Sequence, residues 1–450
     1  MKELKKLLFV VLAAAFFIGL FILCDKYSAD ILDEHSSNIN PSVIGSQSKG
    51  KADSTDSIED ISVEKGILRM VESDYTVDIK LVATGEIMCQ NQQLEQAYDS
   101  LTGKFSFADG LKYLKTDVSS GDYAITSLGT TLAGKDKGYK STVYGYCAED
   151  GRYNSPEALA GDLKDAGYTL LSTATNHALD SDVSGVSATI DNLSAAGIEH
   201  VGTAKSQSDK EDYILKSNYV KIAVTGYTQD TDEQDLPEDK SYAVNTLDGL
   251  NQTKVNDMVS HIKKLQKDND YVIVMLNFGA TDSDEADSDQ KDLAQKLAGA
   301  GADLIIGTGS RAVKPMEIVK ASEEDGTQRS CTVFYGLGSI YSSDYYSEYE
   351  NLDTDISLIL SLNLSNSISG NVKLTSMEVK PVYLNWYNGL VQPLPVCEAK
   401  DSDHFSSVLD EDDMTRINAS YKNTMTHFLK GTDLKSEYDK KTFSYTVPLT

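Results

Sequence analysis

The sequence predicts a layered α/β fold, placed behind an N-terminal hydrophobic anchor and a polar stalk. Three helix–glycine–strand junctions, DAGYTLL, AAGIEHV and GAGADLI, alternate with hydrophobic strand segments along the middle of the chain. Such alternation is typical of proteins in which helices cover the faces of a sheet. A hydrophobic content of 40% in 450 residues is enough for a large core and excludes a wholly disordered chain.

The chain begins with three lysines and an uncharged run of 18 residues, Leu7–Cys24. A membrane-spanning helix needs about 17–25 apolar residues, whereas the hydrophobic part of a signal peptide has about 7–15. No small-x-small cleavage motif follows, so residues 1–26 are predicted to be an uncleaved transmembrane anchor, with a removed signal peptide as the alternative. The positive-inside rule then predicts a single-pass cell-membrane protein with a cytoplasmic N-terminus and an extracytoplasmic C-terminal domain.

Composition divides the rest of the chain into four segments. Residues 27–74 are rich in Ser and Asp and are expected to form a disordered stalk. Residues 75–346 carry the α/β pattern of the main domain, and the alternating residues of 347–398 predict β strands that close the same body. Residues 399–450 form a polar extension with one weak helix near Met414–Leu429 and a strand-like end.

Caps and glycines delimit the helices of the main domain. Ser155 is the predicted N-cap of one helix, and Gly167 is its predicted C-terminal cap. Gly197 and Gly301 are expected to end two further helices in the same way. The acidic run at 282–289 precedes the last of these helices and favours its positive end, since it lacks the glycine and glutamate of a calcium loop.

The charge balance is strongly acidic, with 41 Lys and Arg against 69 Asp and Glu, a net charge of −28. The first 24 residues carry +2, so the remainder supplies all of the acid excess. Nucleic-acid phosphates need clustered Lys and Arg, so a nucleic-acid partner is not expected.

Four cysteines follow the anchor, and their number permits either two disulfides or buried free thiols. They are Cys89, Cys147, Cys331 and Cys397.

Polar residues follow the ends of the predicted strands, where the chemistry of α/β sheets gathers. The candidates at this position are Glu86, Asn176, His177, Asp180, Asn277, Thr308, Arg311 and Ser339. Glu86 and His177 are candidate catalytic acid–base residues, and Arg311 could bind a carboxylate or phosphate as a fork. The structural alternatives are a loop hydrogen bond for His177, a helix cap for Asp180 and a salt bridge from Arg311 to Glu317.

These segments resemble the CapA family of capsule synthesis proteins, which is linked to poly-γ-glutamate production. The similarity runs from about Ile79 to Tyr341, and it is strongest in the block YNSPEALAGDLKDAGYTLLSTATNHALD, with VFYGLGSIY in support. The resemblance implies a metallophosphatase-like sandwich of two sheets flanked by helices. It also implies that the partners of the protein are an anionic envelope polymer and polymer-synthase proteins.

The chain departs from the metal-binding motifs of that family at most positions. The family's Asn-Leu-Glu ends in Gly129 here, and its His-Trp-Gly begins with Asn277. Its Gly-His-His-Pro-His segment has Thr308 and Arg311 at the first and last histidine, and its Gly-Asn-Phe has Ser339 in the middle. The resemblance therefore predicts a degenerate site.

Three residues remain at family ligand positions, namely Glu86, Asn176 and His177. They leave open a divalent metal, but they are too few for a tight two-metal centre, which needs several imidazoles and carboxylates. The sequence thus predicts a catalytically impaired pseudoenzyme that binds or scaffolds during capsule or poly-γ-glutamate biosynthesis, export or tethering. The alternatives are a hydrolase or amide-transferring enzyme that uses Glu86 and His177, and a sensor or adhesin with an exposed apolar patch.

Overall fold

The computed structural model describes residues 78–449 apart from short internal stretches. Those stretches are residues 138–142, 150–151, 210–211, 216–219, 233, 280–282, 323–325, 327, 344–351 and 367–370. All described residues belong to one of the chain's two units, Ile67–Thr450, and the predicted anchor and stalk lie outside them. No helix of the described residues is long and apolar enough to cross a membrane.

Alternating apolar residues and β-branched runs form the strands. They are β1 (Asp78–Thr84), β2 (Glu86–Ile87), β3 (Tyr98–Asp99), β4 (Lys104–Phe105), β5 (Tyr123–Ser127), β6 (Cys147–Glu149), β7 (Arg152–Asn154), β8 (Leu170–Ser172), β9 (Glu199–Val201), β10 (Asp212–Leu215), β11 (Ile222–Thr228), β12 (Tyr271–Asn277), β13 (Leu304–Thr308), β14 (Met316–Ser322), β15 (Gln328–Phe334), β16 (Ser339–Tyr341), β17 (Ile356–Asn366), β18 (Val372–Tyr387), β19 (Leu390–Pro395), β20 (Glu437–Asp439) and β21 (Ser444–Pro448).

The helices lie between these strands. They are α1 (Asn91–Ala97), α2 (Ala108–Leu111), α3 (Lys115–Val118), α4 (Ala158–Ala166), α5 (Asp182–Ala196), α6 (Gln252–Asp268), α7 (Ser288–Ala300), α8 (Val396–Asp401) and α9 (Glu411–Phe428), with a 3₁₀ turn at Glu238–Lys240.

Two mixed sheets carry the architecture. In the first, the strands follow the order β20-β21-β18-β17-β1-β5-β8-β9, and β19 also pairs with β18. In the second, the order is β10-β11-β12-β13-β15-β14. Strands β1, β5, β8 and β9 are parallel to one another, as are β11, β12, β13 and β15, so each sheet has a set of carboxyl ends at which loops can build a site.

The core has three main layers of apolar contact. One cluster joins Leu81 and Ile125 of the first sheet to Ile222 and Ile273 of the second, so the two sheets pack face to face. A second cluster packs α4 and neighbouring helices on the outer face of the first sheet, and a third packs α6 and α7 on the outer face of the second. The predicted layered α/β fold is therefore confirmed as an α/β sandwich.

The C-terminal extension is packed against this sandwich. Ile417, Met425 and Phe428 of α9 are buried in the cluster between the sheets. The Phe428 ring lies 5.9 Å from that of Phe334, measured between centroids, in a stacked arrangement. Strand β21 pairs antiparallel with β18, so the last described residues complete the first sheet.

The predicted helix ends are confirmed, but one predicted start is wrong. Gly167, Gly197 and Gly301 each follow a helix in the left-handed conformation. Ser155 does not cap α4, which begins at Ala158; its hydroxyl contacts the Thr130 hydroxyl at 2.8 Å instead. A short polar side chain that finds a buried partner nearby is no longer available as a cap.

The acidic run before α7 starts that helix, as predicted. Asp287 accepts a hydrogen bond from the Gln290 amide at 2.9 Å, and the Gln290 side chain accepts one from the Asp287 amide. This reciprocal capping box satisfies backbone donors at the helix start.

Cys89, Cys331 and Cys397 are buried free thiols in the structure, which decides between the two alternatives for these three residues. Burial raises the pKa of Cys89 to about 12, so this thiol is held protonated at neutral pH. The side chain of Cys147 lies outside the described residues.

Candidate functional site

The carboxyl ends of strands from both sheets meet at one group of polar side chains. The Ser127 hydroxyl at the end of β5 donates to the Thr308 hydroxyl at the end of β13, at 2.9 Å, and so connects the two sheets. Asn277, at the end of β12, is the register partner of Thr308. This meeting point brings residues that are far apart in the sequence into a single cluster.

Glu86 enters the cluster from the short strand β2, directly after β1. A Cβ at the preceding Gly85 would lie 2.3 Å from the carbonyl oxygen of Gly338, so only glycine permits this close approach. The Glu86 amide donates to the same oxygen at 3.0 Å, and Ser339 is the register partner of Glu86 in β16. The Glu86 side chain is buried and accepts from Asn277 Nδ2 at 3.4 Å.

Asn277 links Glu86 to the loop after β8. Its Nδ2 also lies 3.4 Å from Asn176 Oδ1, and its Oδ1 accepts from the Gly279 amide at 2.9 Å. Gly309 makes room for the side-chain amide of Asn277, because a Cβ at Gly309 would lie 2.7 Å from Asn277 Oδ1. Two asparagine side chains thus connect the carboxylate of Glu86 with the imidazole region.

His177 is held by partners on both ring nitrogens. Nδ1 lies 3.1 Å from Asp180 Oδ2, and Nε2 lies 3.1 Å from Asn176 Nδ2. The Tyr153 ring packs edge-on against the imidazole, with centroids 4.5 Å apart. Burial acts to lower the pKa of His177, but the hydrogen bond and charge of Asp180 and the charges of Asp232 and Glu86 outweigh it, so the pKa is raised.

Asp180 does not cap the helix that follows it, so the structural alternative given for this residue is wrong. The N-cap of α5 is Ser181, and no side chain hydrogen-bonds the cap position. The Asp180 carboxylate is buried and accepts from the Tyr153 amide at 2.6 Å and from His177 Nδ1. It therefore orients the imidazole, as a carboxylate does in a histidine–carboxylate pair.

Asp232 also belongs to this cluster, although it is not among the residues predicted from the sequence. Asn176 Nδ2 lies 3.2 Å from its Oδ2, and His177 Nδ1 lies 3.7 Å from the same oxygen. Burial raises the pKa of Asp232 even though the positive charges of His177 and Arg311 act to lower it. The segment QDTD directly follows β11, so the strand-end rule applied to that strand would have found Asp232.

The strand-end residues predicted from the sequence occupy one region. Glu86, Asn277, Asn176, His177 and Asp180 form a continuous chain of contacts. Thr308 is the register partner of Asn277, and Ser339 is the register partner of Glu86. The half-buried Arg311 interacts electrostatically with Asp232. We call Glu86, Asn176, His177, Asp180, Asp232, Asn277 and Arg311 the strand-end cluster.

The donor set of this cluster does not fit a two-metal centre. Both nitrogens of His177 are engaged by neighbours, and amide, hydroxyl and guanidinium groups stand at the other family positions. A Cβ at Gly129, the position of the family glutamate, would lie 2.2 Å from Met88 Sδ, so a larger side chain there requires the Met88 side chain to move. Within the residues the structure describes, no three His, Cys, Asp or Glu side chains are placed to hold a metal ion.

The chemistry left to the cluster is of two kinds. The Arg311 guanidinium, whose charge acts on Asp232, carries several N–H donors that suit an anionic group. The His177–Asp180 pair can hold or move a proton at the imidazole.

Comparison with known proteins identifies the family. Residues 80–344 match the family of the bacterial capsule synthesis protein PGA_cap. This chain belongs to that family. The match has nearly the same limits as the similarity found in the sequence motifs, and the predicted family is confirmed.

Two curated relatives are CapA proteins. The PGA biosynthesis protein CapA of Bacillus subtilis (strain 168) is 26% identical over 219 residues, which cover 48% of this chain and 52% of that protein. The capsule biosynthesis protein CapA of Bacillus anthracis is 26% identical over 182 residues, which cover 39% of this chain and 41% of that protein. The chain thus matches about half the length of these relatives.

Solved structures with a similar chain path include a phosphatase from Mycoplasma pneumoniae, with a TM-score of 0.36 and 12% identity over 69% of this chain and 95% of that one. The NAD nucleotidase of Haemophilus influenzae has a TM-score of 0.41 and 12% identity over 79% of this chain and 64% of that one. With TM-scores of this size, the similarities carry no inference about the chemistry of the PGA_cap chain.

Proposed function

We propose that this PGA_cap family chain is a membrane-anchored, extracytoplasmic protein with a metallophosphatase-like sandwich, which binds an anionic capsule polymer such as poly-γ-glutamate without cleaving it. Residues 1–26 would be the anchor, and polymer-synthase proteins in the same membrane would be its partners. The names of the two CapA relatives support the polymer class.

One observation carries the non-catalytic part of this proposal. The only histidine of the strand-end cluster, His177, has both ring nitrogens occupied by Asp180 and Asn176. A general base must reach the proton that it abstracts, and an imidazole engaged at both nitrogens has to give up a partner first. Gly129 supports the same reading, because it leaves the position of the family glutamate without a carboxylate.

Arg311 is the residue that we assign to the polymer. It is half-buried, its charge reaches Asp232, and a guanidinium matches the two oxygens of a carboxylate in a planar fork. A local cation is needed because the chain as a whole carries a charge of −28, which repels a polyanion.

The experiment uses the full-length chain and a defined γ-glutamyl oligomer. We expect saturable binding, no shortening of the oligomer, and an affinity about tenfold lower in Arg311→Gln, since a hydrogen bond to a charged group contributes about 1.5–3 kcal/mol. Lys296→Gln is the matched control, because it removes the same charge from an exposed position on α7. Equal losses in the two variants would reject the assignment of Arg311.

The His177–Asp180 pair favours a second candidate, a hydrolase or amide-transferring enzyme. Its nitrogen-to-oxygen distance of 3.1 Å and its raised histidine pKa are features of a general base with its orienting carboxylate. Shortening of the oligomer that disappears in His177→Ala, together with stoichiometric bound metal, would establish this candidate in place of the binding role.

A further inference from the structure

A cavity of about 180 Å³ lies beside the C-terminal helix α9. Five polar residues line it, and they are Asp284, Asp353, Asn423, Thr424 and His427. Apolar side chains, among them Val313 and Ile356, form the rest of its lining. None of these residues belongs to the strand-end cluster.

Much of this cavity is built by residues outside the segment that matches the PGA_cap description. That match ends at residue 344, whereas Asp353, Ile356 and the three residues of α9 follow it. The cavity therefore depends on the polar C-terminal extension, which contributes no residue to the strand-end cluster.

The environment of Thr424 indicates that this cavity binds a ligand. Its side chain lines the cavity and is only 6% exposed, yet it makes no hydrogen bond with the described part of the chain. Thr415, Ser420 and Thr426 on the same helix each donate to the carbonyl oxygen four residues earlier. This hydroxyl is open to the cavity, where a bound polar group could form a hydrogen bond with it.

The other polar groups of the cavity are mostly acceptors. Asp353 Oδ1 accepts a hydrogen bond from Arg416 at 2.9 Å, and Asp353 Oδ2 makes no hydrogen bond with the described residues. His427 Nε2 donates to the Asp284 carbonyl oxygen at 3.1 Å and lies 3.8 Å from Asp284 Oδ2. Two carboxylates, a hydroxyl and an amide oxygen suit a ligand that carries several N–H donors.

The arrangement favours an organic cation over a metal ion. Asp284, Asp353 and His427 line the same cavity, but no three such side chains of the described residues are placed to hold a metal. Apolar residues share the lining with the carboxylates, which suits an aliphatic body behind an ammonium group. Since a dry cavity of about 150 Å³ holds benzene, a ligand of about six non-hydrogen atoms would fit.

We propose that the cavity beside α9 binds a primary alkylammonium of about this size, with the ammonium at Asp284, Asp353 and Thr424 and the chain against Val313 and Ile356. This inference is independent of the polymer proposed for the strand-end cluster. It assigns the C-terminal extension a binding role of its own.

The test measures binding of n-pentylamine, protonated at pH 7, to the full-length chain by calorimetry. We expect saturable binding, an affinity about tenfold lower in Asp284→Asn, and a similar loss in Thr424→Val. Thr424→Ser keeps the hydroxyl and should retain the affinity. Asp257→Asn is the matched control, since it removes one acid from an exposed position of α6 and should leave the affinity unchanged.

The neutral analogue 1-pentanol separates recognition of charge from apolar burial. We expect it to bind at least tenfold more weakly than n-pentylamine. Equal binding of both compounds, no saturable binding, or equal losses in Asp284→Asn and Asp257→Asn would each overturn the proposal. Urea unfolding of every variant shows whether the fold is retained, and a loss of affinity in Thr424→Ser as large as in Thr424→Val would reject the role of the hydroxyl.

Discussion

At the scale of single residues, Gly129 and Met88 are in close contact beside Glu86. A Cβ at Gly129 would lie 2.2 Å from Met88 Sδ, and Met88 is buried. We expect Gly129→Ala to lower the free energy of unfolding by about 1–3 kcal/mol, as overpacking does. In Met88→Ala the same glycine substitution should cost much less, and urea unfolding of the two single variants and the double variant measures this coupling.

The control for this cycle is Gly161→Ala. Gly161 lies in α4, and a Cβ there would meet no atom within 4 Å. Alanine in an open helical position should raise the free energy of unfolding by about 0.5–1 kcal/mol. Additive effects of Gly129→Ala and Met88→Ala would contradict a direct contact.

The sequence predicted some residues of the strand-end cluster and missed others. Glu86, His177 and Asn277 could be found because polar residues after strands converge at the carboxyl ends of a sheet. The same rule would have found Asp232, had it been applied to β11. The position of Tyr153 against His177 could not be predicted, because β7 comes from a different part of the chain and only tertiary packing brings the rings together.

Lys314 offers a test of buried charge. Its side chain is 0% exposed, and its Nζ lies 3.3 Å from Gln290 Oε1. Burial lowers the pKa of Lys314, although the charges of Asp287, Asp284 and Glu285 act in the opposite direction. The unfolded chain therefore binds more protons at this position than the folded one, and the lysine's contribution to stability increases as pH rises toward its unfolded pKa.

We expect Lys314→Met to raise the free energy of unfolding by about 1 kcal/mol at pH 7, because the cost of burying the charge is removed. The gain should shrink as the pH is raised toward about 10, where the lysine itself loses its proton. Urea unfolding of both proteins at the two pH values measures this difference. Lys296→Met is the matched control, because it makes the same substitution at an exposed position of α7.

At the scale of elements, α9 is a part of the core. Phe428 is 0% exposed and stacks on Phe334 with ring centroids 5.9 Å apart. We expect Phe428→Ala to lower the free energy of unfolding by about 3–5 kcal/mol, the usual cost of a large cavity in a core. Thr426→Ala, on the exposed side of the same helix, should change it by less than about 0.5 kcal/mol.

A small effect of Phe428→Ala would show that α9 is only loosely attached to the sandwich. The sequence indicated a weak helix near this position because its apolar residues are few and widely spaced. It could not indicate that these residues enter the cluster between the sheets, or that β21 pairs with β18. Pairing between distant strands depends on the closure of long loops, for which local sequence patterns carry no information.

At the scale of the whole molecule, the sandwich places the strand-end cluster and the α9 cavity on one acidic body. Residues 311–313 contribute to both, since Arg311 belongs to the strand-end cluster and Val313 lines the α9 cavity. The net charge of −28 surrounds both regions with a field that attracts cations and repels anions. Binding of an alkylammonium should thus be assisted by long-range electrostatics, whereas binding of a polyanion must work against them.

This charge makes a prediction about the kinetics of polymer binding. The association rate constant of the full-length chain with poly-γ-glutamate should increase severalfold between about 50 and 300 mM salt, because salt screens repulsion beyond the Debye length of about 10 Å at 0.1 M. Arg311→Gln should show the same slope for association but faster dissociation, since the guanidinium acts only at short range. Stopped-flow measurements at several salt concentrations separate the two rates. An association rate that falls with salt would show that a cationic surface steers the polymer, and the net charge would then not control the encounter.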